Sequence, residues 1–418
     1  MSSALLLLVG VQVVCASDIN VVDASDSVLA SGALQLAVDG TDGWFAVISK
    51  VFAKDGFEVN AEVVLDDGRK ATPLMVALAI AAEDAERGQQ GLTLVNELLA
   101  RPNIDVNAAA AVDGTPLAPV TPLWTALHLW TNAWPSREPE SQDVETSVPG
   151  PGALMALRAL LAHKNLEVNT RGVIMDELMT PLFLASMGAA NEVEGGLDVV
   201  SELLACDSID VNAGVQMADG GAASPLHMAL PLAAEGVSGA LRVVSVLLER
   251  EEAQVNSPGT MSDGERFTPL HIMLMANLHG TAGALELGRT LMLRHDRYGD
   301  LDVHTPLQMP ANPDGEAGVM SSPLLMAADA LIHLQRQEMA QKNKDSVEES
   351  SGLQTHAAKE ILWRLAKAGA RLAETDMVDE PTVKMIEVLL ESQANAMKAA
   401  GAKAAAAVAA GDQAKEEL

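Results

Sequence analysis

Aromatic residues are nearly missing from this chain of 418 residues. Phe, Trp and Tyr make up 3% of it, and there is a single tyrosine. Ala, Leu, Val and Met must fill the core instead, which suits small helices packed closely together. Cysteine is scarcer still. Cys15 and Cys206 are the only two, so neither a disulfide framework nor a cysteine-based metal site is available. Positive charge is also in short supply: 27 Lys and Arg stand against 57 Asp and Glu, for a formal net charge of −30. Charge of that sign repels nucleic acid and anionic membrane surfaces, and it favours cationic partners. It also serves solubility when no partner is present. Apolar residues, by contrast, are plentiful at 49%, enough for a folded protein with a sizeable core. The length fits two or three globular domains or one repeat array.

Long apolar runs are absent as well. The N-terminal MSSALLLLVGVQVVCASD carries one apolar stretch, Ala4–Val14, that is too short to span a bilayer. Its length matches the apolar core of a secretory signal peptide, and Val14-Cys15-Ala16 offers small side chains for cleavage after Ala16. Residues 1–16 are therefore expected to be a signal peptide that leaves no membrane span after cleavage. The n-region has no Lys or Arg, and the competing reading is a buried first element of the fold. At the other end, Lys415-Glu416-Glu417-Leu418 resembles the KDEL and HDEL addresses of the endoplasmic reticulum, departing at its second position. The two ends support one another, because a retrieval address acts only on a chain that has entered the lumen. If neither is read, the chain is secreted or cytoplasmic.

What recurs down the chain is a pair of anchors. The first is an acidic or polar residue, valine and asparagine, ending at Asn60, Asn107, Asn169, Asn212 and Asn256, then a degenerate Asp302-Val303-His304. The second is Thr or Ser, Pro, Leu: Thr72-Pro73, Thr121-Pro122, Thr180-Pro181, Ser224-Pro225, Thr268-Pro269 and Ser322-Pro323, each followed by Leu. A hydroxyl followed by proline is a helix start, since the hydroxyl caps an orphan amide and proline has no N–H to lose in the first turn. A second helix precedes each valine-asparagine, as in LDVVSELLA over 197–205, where Leu197, Val200, Leu203 and Leu204 are expected on one face. That helix is expected to end through a left-handed residue at Gly56, Asn103 and Asn165, and more loosely at Ser208 and Glu252. The unit is helix, short turn, helix and polar loop. Its apolar face needs a neighbour of the same kind to cover it.

Ser224-Pro225-Leu226-His227-Met228-Ala229 and Thr268-Pro269-Leu270-His271, with the valine-asparagine anchors, resemble ankyrin repeats. The resemblance runs from about residue 30 to 373. It implies an all-α solenoid of about seven stacked helix-turn-helix repeats over 17–373, with long inter-repeat loops. It also implies that His227 and His271 are structural, tying loops through their rings. The successive anchors Thr180, Ser224 and Thr268 lie 44 residues apart, whereas the family period is about 33 residues. The extra length falls in the loops, called fingers below, and in the first helices. Polar insertions at 131–152 and 336–352 are expected to be mobile. A capping helix is expected at 374–392, carrying Val383, Ile386, Leu389 and Leu390 on one face, and an Ala-rich tail follows at 393–418.

No phosphate loop, dinucleotide fingerprint or paired catalytic motif appears in the sequence. The expected function is therefore non-catalytic and without a cofactor. Ankyrin proteins bind through their fingers and the face of their first helices, so the candidate contacts are Gln216, Met217 and Asp219 in one finger. In the next finger they are Met261, Asp263, Glu265, Arg266 and Phe267. The partner implied is a protein or peptide of basic character, and not nucleic acid. The competing reading is an acidic lumenal holdase or a low-affinity calcium buffer. An enzyme built on the same frame is a third.

Overall fold

The computed structural model describes residues 26–372 apart from 55, 66–67, 69, 84, 111–119, 132–150, 175–176, 217–221, 261–265, 309–319 and 343–348, with scattered positions between 383 and 398. The described chain is mostly helical, with a few short strands. It divides into two compact units, Met1–Asp219 and Gly220–Leu418.

In the first unit, helices come in consecutive pairs: α1 (Asp26–Val38) with α2 (Trp44–Phe52), α3 (Pro73–Ala81) with α4 (Ala85–Leu99), α5 (Pro122–Thr131) with α6 (Pro151–Leu161), and α7 (Pro181–Ala190) with α8 (Gly196–Leu204). First helices pack side by side in the order α1, α3, α5, α7, and the second helices α4, α6, α8 do the same. The core lies between these two layers, at Leu34, Ile48, Leu78, Leu98, Leu127 and Leu157. Composition explains the layering. Helix α3 reads PLMVALAIA, apolar all round, and every residue but Ala79 is buried. Helix α8 reads GLDVVSELL and buries one stripe, Val199, Val200, Leu203 and Leu204. Leu197 was expected in that stripe and is half-exposed, because the buried positions run from Gly196 at helical spacing and leave Leu197 one step off the face.

The second unit repeats the plan with α9 (Pro225–Glu235) and α10 (Ser238–Leu248), α11 (Pro269–His279) and α12 (Ala284–Tyr298), and α13 (Pro323–Lys342) and α14 (Glu349–Lys367). Helices α9, α11 and α13 form one layer, and α10, α12 and α14 the other. Leu230, Val244, Leu274, Leu291, Leu331 and Leu365 are buried here.

All six Thr/Ser-Pro anchors are helix starts, with proline the first residue of α3, α5, α7, α9, α11 and α13. The hydroxyl of Thr72, Thr121, Thr180, Ser224, Thr268 and Ser322 accepts the backbone N–H three residues on, at 3.2–3.4 Å. These are long bonds, but each satisfies a helix-terminal donor that has no partner within the helix.

Several expectations are corrected. Gly56 is left-handed at φ 90°, but Asn103 and Asn165 are not. Among the described residues Glu192 is the one non-glycine with positive φ. The asparagine carbonyls serve another purpose, described below, and the turn that presents them keeps ordinary backbone angles. Of the insertion at 336–352, residues 336–342 continue α13 and 349–352 open α14, and 343–348 lie outside the described residues. Residues 323–342 contain good helix formers and no glycine or further proline, so nothing stops the helix. Of the insertion at 131–152, Thr131 is the buried last residue of α5, Pro151 and Gly152 open α6, and the rest lies outside the described residues. So do residues 1–16, the expected signal peptide, and the terminal Lys415–Leu418. Of the expected capping helix, the described positions between 383 and 392 are helical and Ile386 is buried. Leu389 and Leu390 lie outside the described residues.

Candidate interaction surface

The fingers leave their repeats through the valine-asparagine anchors. In each case valine is the plug, with Val59, Val106, Val168, Val211 and Val255 all buried. Asparagine is the bridge to the next helical pair. Asn60 Nδ2 donates to the Asn103 carbonyl at 2.8 Å, and the Asp105 N–H donates to Asn60 Oδ1 at 2.8 Å. Asn107 spans Asn165 and Glu167 in the same way at 2.8 and 2.8 Å, and Asn169 spans Ser208 and Asp210 at 2.6 and 2.9 Å. In the second unit Asn256 spans Asp300 and Asp302 at 2.6 and 2.8 Å. Only a side chain that both donates and accepts can make this pair of bonds, which is why asparagine stands there. The acidic residue before valine has its own task. Asp105, Asp210 and Asp302 accept the N–H two residues on, at Asn107, Asn212 and His304, and so tighten the turn.

Replacing Asn169 with Ala removes both bonds of one bridge. The expected cost is about 1–2 kcal/mol. Asn169→Asp keeps the acceptor and loses the donor, so it should fall between the wild type and Asn169→Ala in urea-unfolding midpoint. Wild-type stability in the alanine variant would show that the bridge contributes nothing.

In two of the first helices the third residue holds the next finger in place. His227 in α9 is buried, and its Nε2 lies 2.8 Å from the Ser257 carbonyl. A carbonyl only accepts, so Nε2 carries the proton, and Nδ1 accepts from the Ser224 hydroxyl at 2.7 Å. Burial lowers the pKa of this imidazole, against the opposing effect of the Ser257 bond. Trp124 occupies the same position in α5, and its indole N–H donates to the Thr170 carbonyl at 2.8 Å. Ser257 and Thr170 each directly follow a bridging asparagine. Three residues past each asparagine is a glycine that makes room for the ring. A Cβ on Gly172 would lie 2.2 Å from the Trp124 ring, and one on Gly259 would lie 2.8 Å from the His227 ring.

The sequence predicts long polar loops for the fingers. Most of the described ones are short antiparallel hairpins instead: β1 (Val63–Val64) with β2 (Lys70–Ala71), and β3 (Gly172–Ile174) with β4 (Glu177–Met179). The strand β5 (Val215–Gln216) of the next finger pairs with β4, Leu178 opposite Gln216. In the second unit β6 (Ala222–Ala223) pairs with β7 (Gly259–Thr260), and β7 pairs with β8 (Arg266–Phe267). The strands β9 (Leu307–Gln308) and β10 (Met320–Ser321) form a further hairpin. The asparagine bridges set neighbouring fingers one repeat apart, and strands at that spacing satisfy their backbone groups on each other.

Of the contact residues expected from the sequence, Gln216 lies in β5, Arg266 is exposed on β8, and Phe267 is half-buried with its ring edge-on to His227, centroids 5.6 Å apart. Phe267 therefore packs the base of its finger. Met217, Asp219, Met261, Asp263 and Glu265 lie outside the described residues. His271 keeps its ring half-exposed, and its backbone N–H is capped by Thr268 at 3.2 Å. On the first helices of the second unit, Met228, Ile272, Met275 and Leu278 are half-exposed and Pro231 is exposed. Ala79, His128 and Met187, at the positions of Pro231 and Met275, are the partly or fully exposed counterparts in the first unit.

Sequence reading missed the arginines that close the helix ends. Arg294 in α12 has no exposed side-chain surface. It donates to the carbonyls of Leu248 at 2.9 Å, Glu251 at 3.0 Å, Ala253 at 3.3 Å and Arg250, and it pairs with Asp300. Tyr298 covers it, with the guanidinium carbon 4.2 Å from the ring centre, and the tyrosine hydroxyl donates to the Glu249 carbonyl at 2.8 Å. In the first unit Arg87 reaches the Ala37 carbonyl at 2.6 Å and Arg101 reaches that of Phe52. Each cation sits on the last carbonyls of a preceding helix, where the helix dipole is negative. The signal was present for Arg294. Leu287, Leu291 and Arg294 fall at helical spacing, so the arginine stands on the buried stripe.

Glu360 in α14, 5% exposed, is the second missed group. Arg289 of α12 grips it through two parallel bonds of 2.9 and 2.8 Å, and Arg364 adds one of 3.0 Å. Arg289 above all holds the carboxyl below the usual carboxylate range, against the desolvation that would raise it, with help from Arg364. Cys206 is half-buried, and burial raises its thiol pKa, so it is a poor nucleophile. Among the described residues no three His, Cys, Asp or Glu are grouped to hold a metal ion, and no helix is long and apolar enough to cross a membrane. No protein-family model matches the chain, and no curated protein is significantly similar to it.

Proposed function

We propose that the chain is an ankyrin-type repeat protein that works as a non-catalytic scaffold. Its fingers and first-helix faces engage a protein or peptide partner of basic character. The observation that carries this reading is the asparagine bridge, which recurs with the same two bonds at Asn60, Asn107, Asn169 and Asn256. Within each unit it ties finger roots to their neighbours, and Arg266 on its finger stays exposed. Roots held by paired bonds suit recognition, because groups already fixed lose little ordering entropy on binding. The net charge of −30 supports a cationic partner through long-range attraction.

Affinity capture with the immobilised full-length chain tests this. A partner should be retained at low salt, and swapping Gln216 and Met217 for Ala should weaken retention at least about tenfold, some 1.4 kcal/mol. Retention that salt abolishes and that ignores both substitutions would point to bulk charge alone, and the scaffold reading would fail.

We also propose residence in the lumen of the endoplasmic reticulum, on the strength of the apolar N-terminus and the terminal Lys415-Glu416-Glu417-Leu418. In eukaryotic cells the intact chain should stay with lumenal markers, and deletion of residues 415–418 should send it into the medium. A cytosolic intact chain, or a deletion that is not secreted, would overturn the assignment.

A further inference from the structure

We draw no further inference here: the strongest candidate, the half-exposed apolar row of Met228, Ile272, Met275 and Leu278 beside Pro231 on the first helices of the second unit, is an unpartnered helix face, and nothing in the structure shows what covers it.

Discussion

Replacing Arg294 with Ala should destabilise the second unit by about 3–5 kcal/mol, the cost of removing one partner from a buried charge arrangement. The guanidinium is the donor for four backbone carbonyls between Leu248 and Ala253 and for the Asp300 carboxylate. Without it the carbonyls of Leu248, Glu251 and Ala253 lose this donor, that of Arg250 keeps only its bond from the Ala253 N–H, Asp300 loses its counter-charge, and Tyr298 loses the plane it rests on. The turn they belong to leads straight into Val255-Asn256, so the finger that follows should loosen as well. Hydrogen exchange of the full-length chain locates the effect. Amides of 249–256 and of β7 should exchange faster than in the wild type, while α4 and α6 of the first unit should be unchanged. Arg294→Lys is the informative control. A lysine keeps the charge but cannot fork toward several carbonyls, and it should recover less than half of the loss. An alanine variant within about 1 kcal/mol of wild type would mean that the carbonyls find water instead, and the clamp would have no energetic weight.

The second large effect belongs to Glu360. Glu360→Ala leaves Arg289 and Arg364 facing one another with no anion between them, and about 2–3 kcal/mol of stability should go. The estimate stays below that for Arg294 because Arg289 is 41% exposed and water screens its charge. Glu360 also makes the unit sensitive to acid. Unfolded, the carboxyl binds its proton near an ordinary pH of about 4.3. Folded, it binds that proton only at lower pH, because the arginines favour the anion. Between those two points the unfolded chain holds more protons, so falling pH favours unfolding. The stabilisation is complete above the ordinary value and disappears as pH drops through the folded one. Glu360→Gln removes the titration while keeping the shape. Its stability should therefore depend less on pH than that of the wild type in this acid range, and parallel pH curves for the two proteins would refute the assignment.

The periodic features were legible in advance for a simple reason. A hydroxyl followed by proline acts within one helical turn, so Thr72, Thr180 or Ser224 announces a helix start whatever surrounds it. An apolar stripe such as Val199, Val200, Leu203 and Leu204 is likewise written in spacing alone, although its exact edge misplaced Leu197. The valine-asparagine anchor was recognisable as a marker, but its job was not. The partners of Asn169 are Ser208 and Asp210, about forty residues on, and no local rule connects them. The left-handed ends expected at Asn103 and Asn165 failed for the same cause. A preference of asparagine for that conformation is local, and it yielded to the need for their carbonyls to face the preceding bridge.

The strand pairings between fingers, the rings of His227 and Trp124 set over Gly259 and Gly172, the clamp of Arg294 and the grip on Glu360 all join residues from different helical pairs. Residue order carried the helical pairs because each is stabilised within a few turns of its own sequence. Which polar groups meet between pairs depended on how the layers stack, since burial decides which donors must find protein partners in place of water.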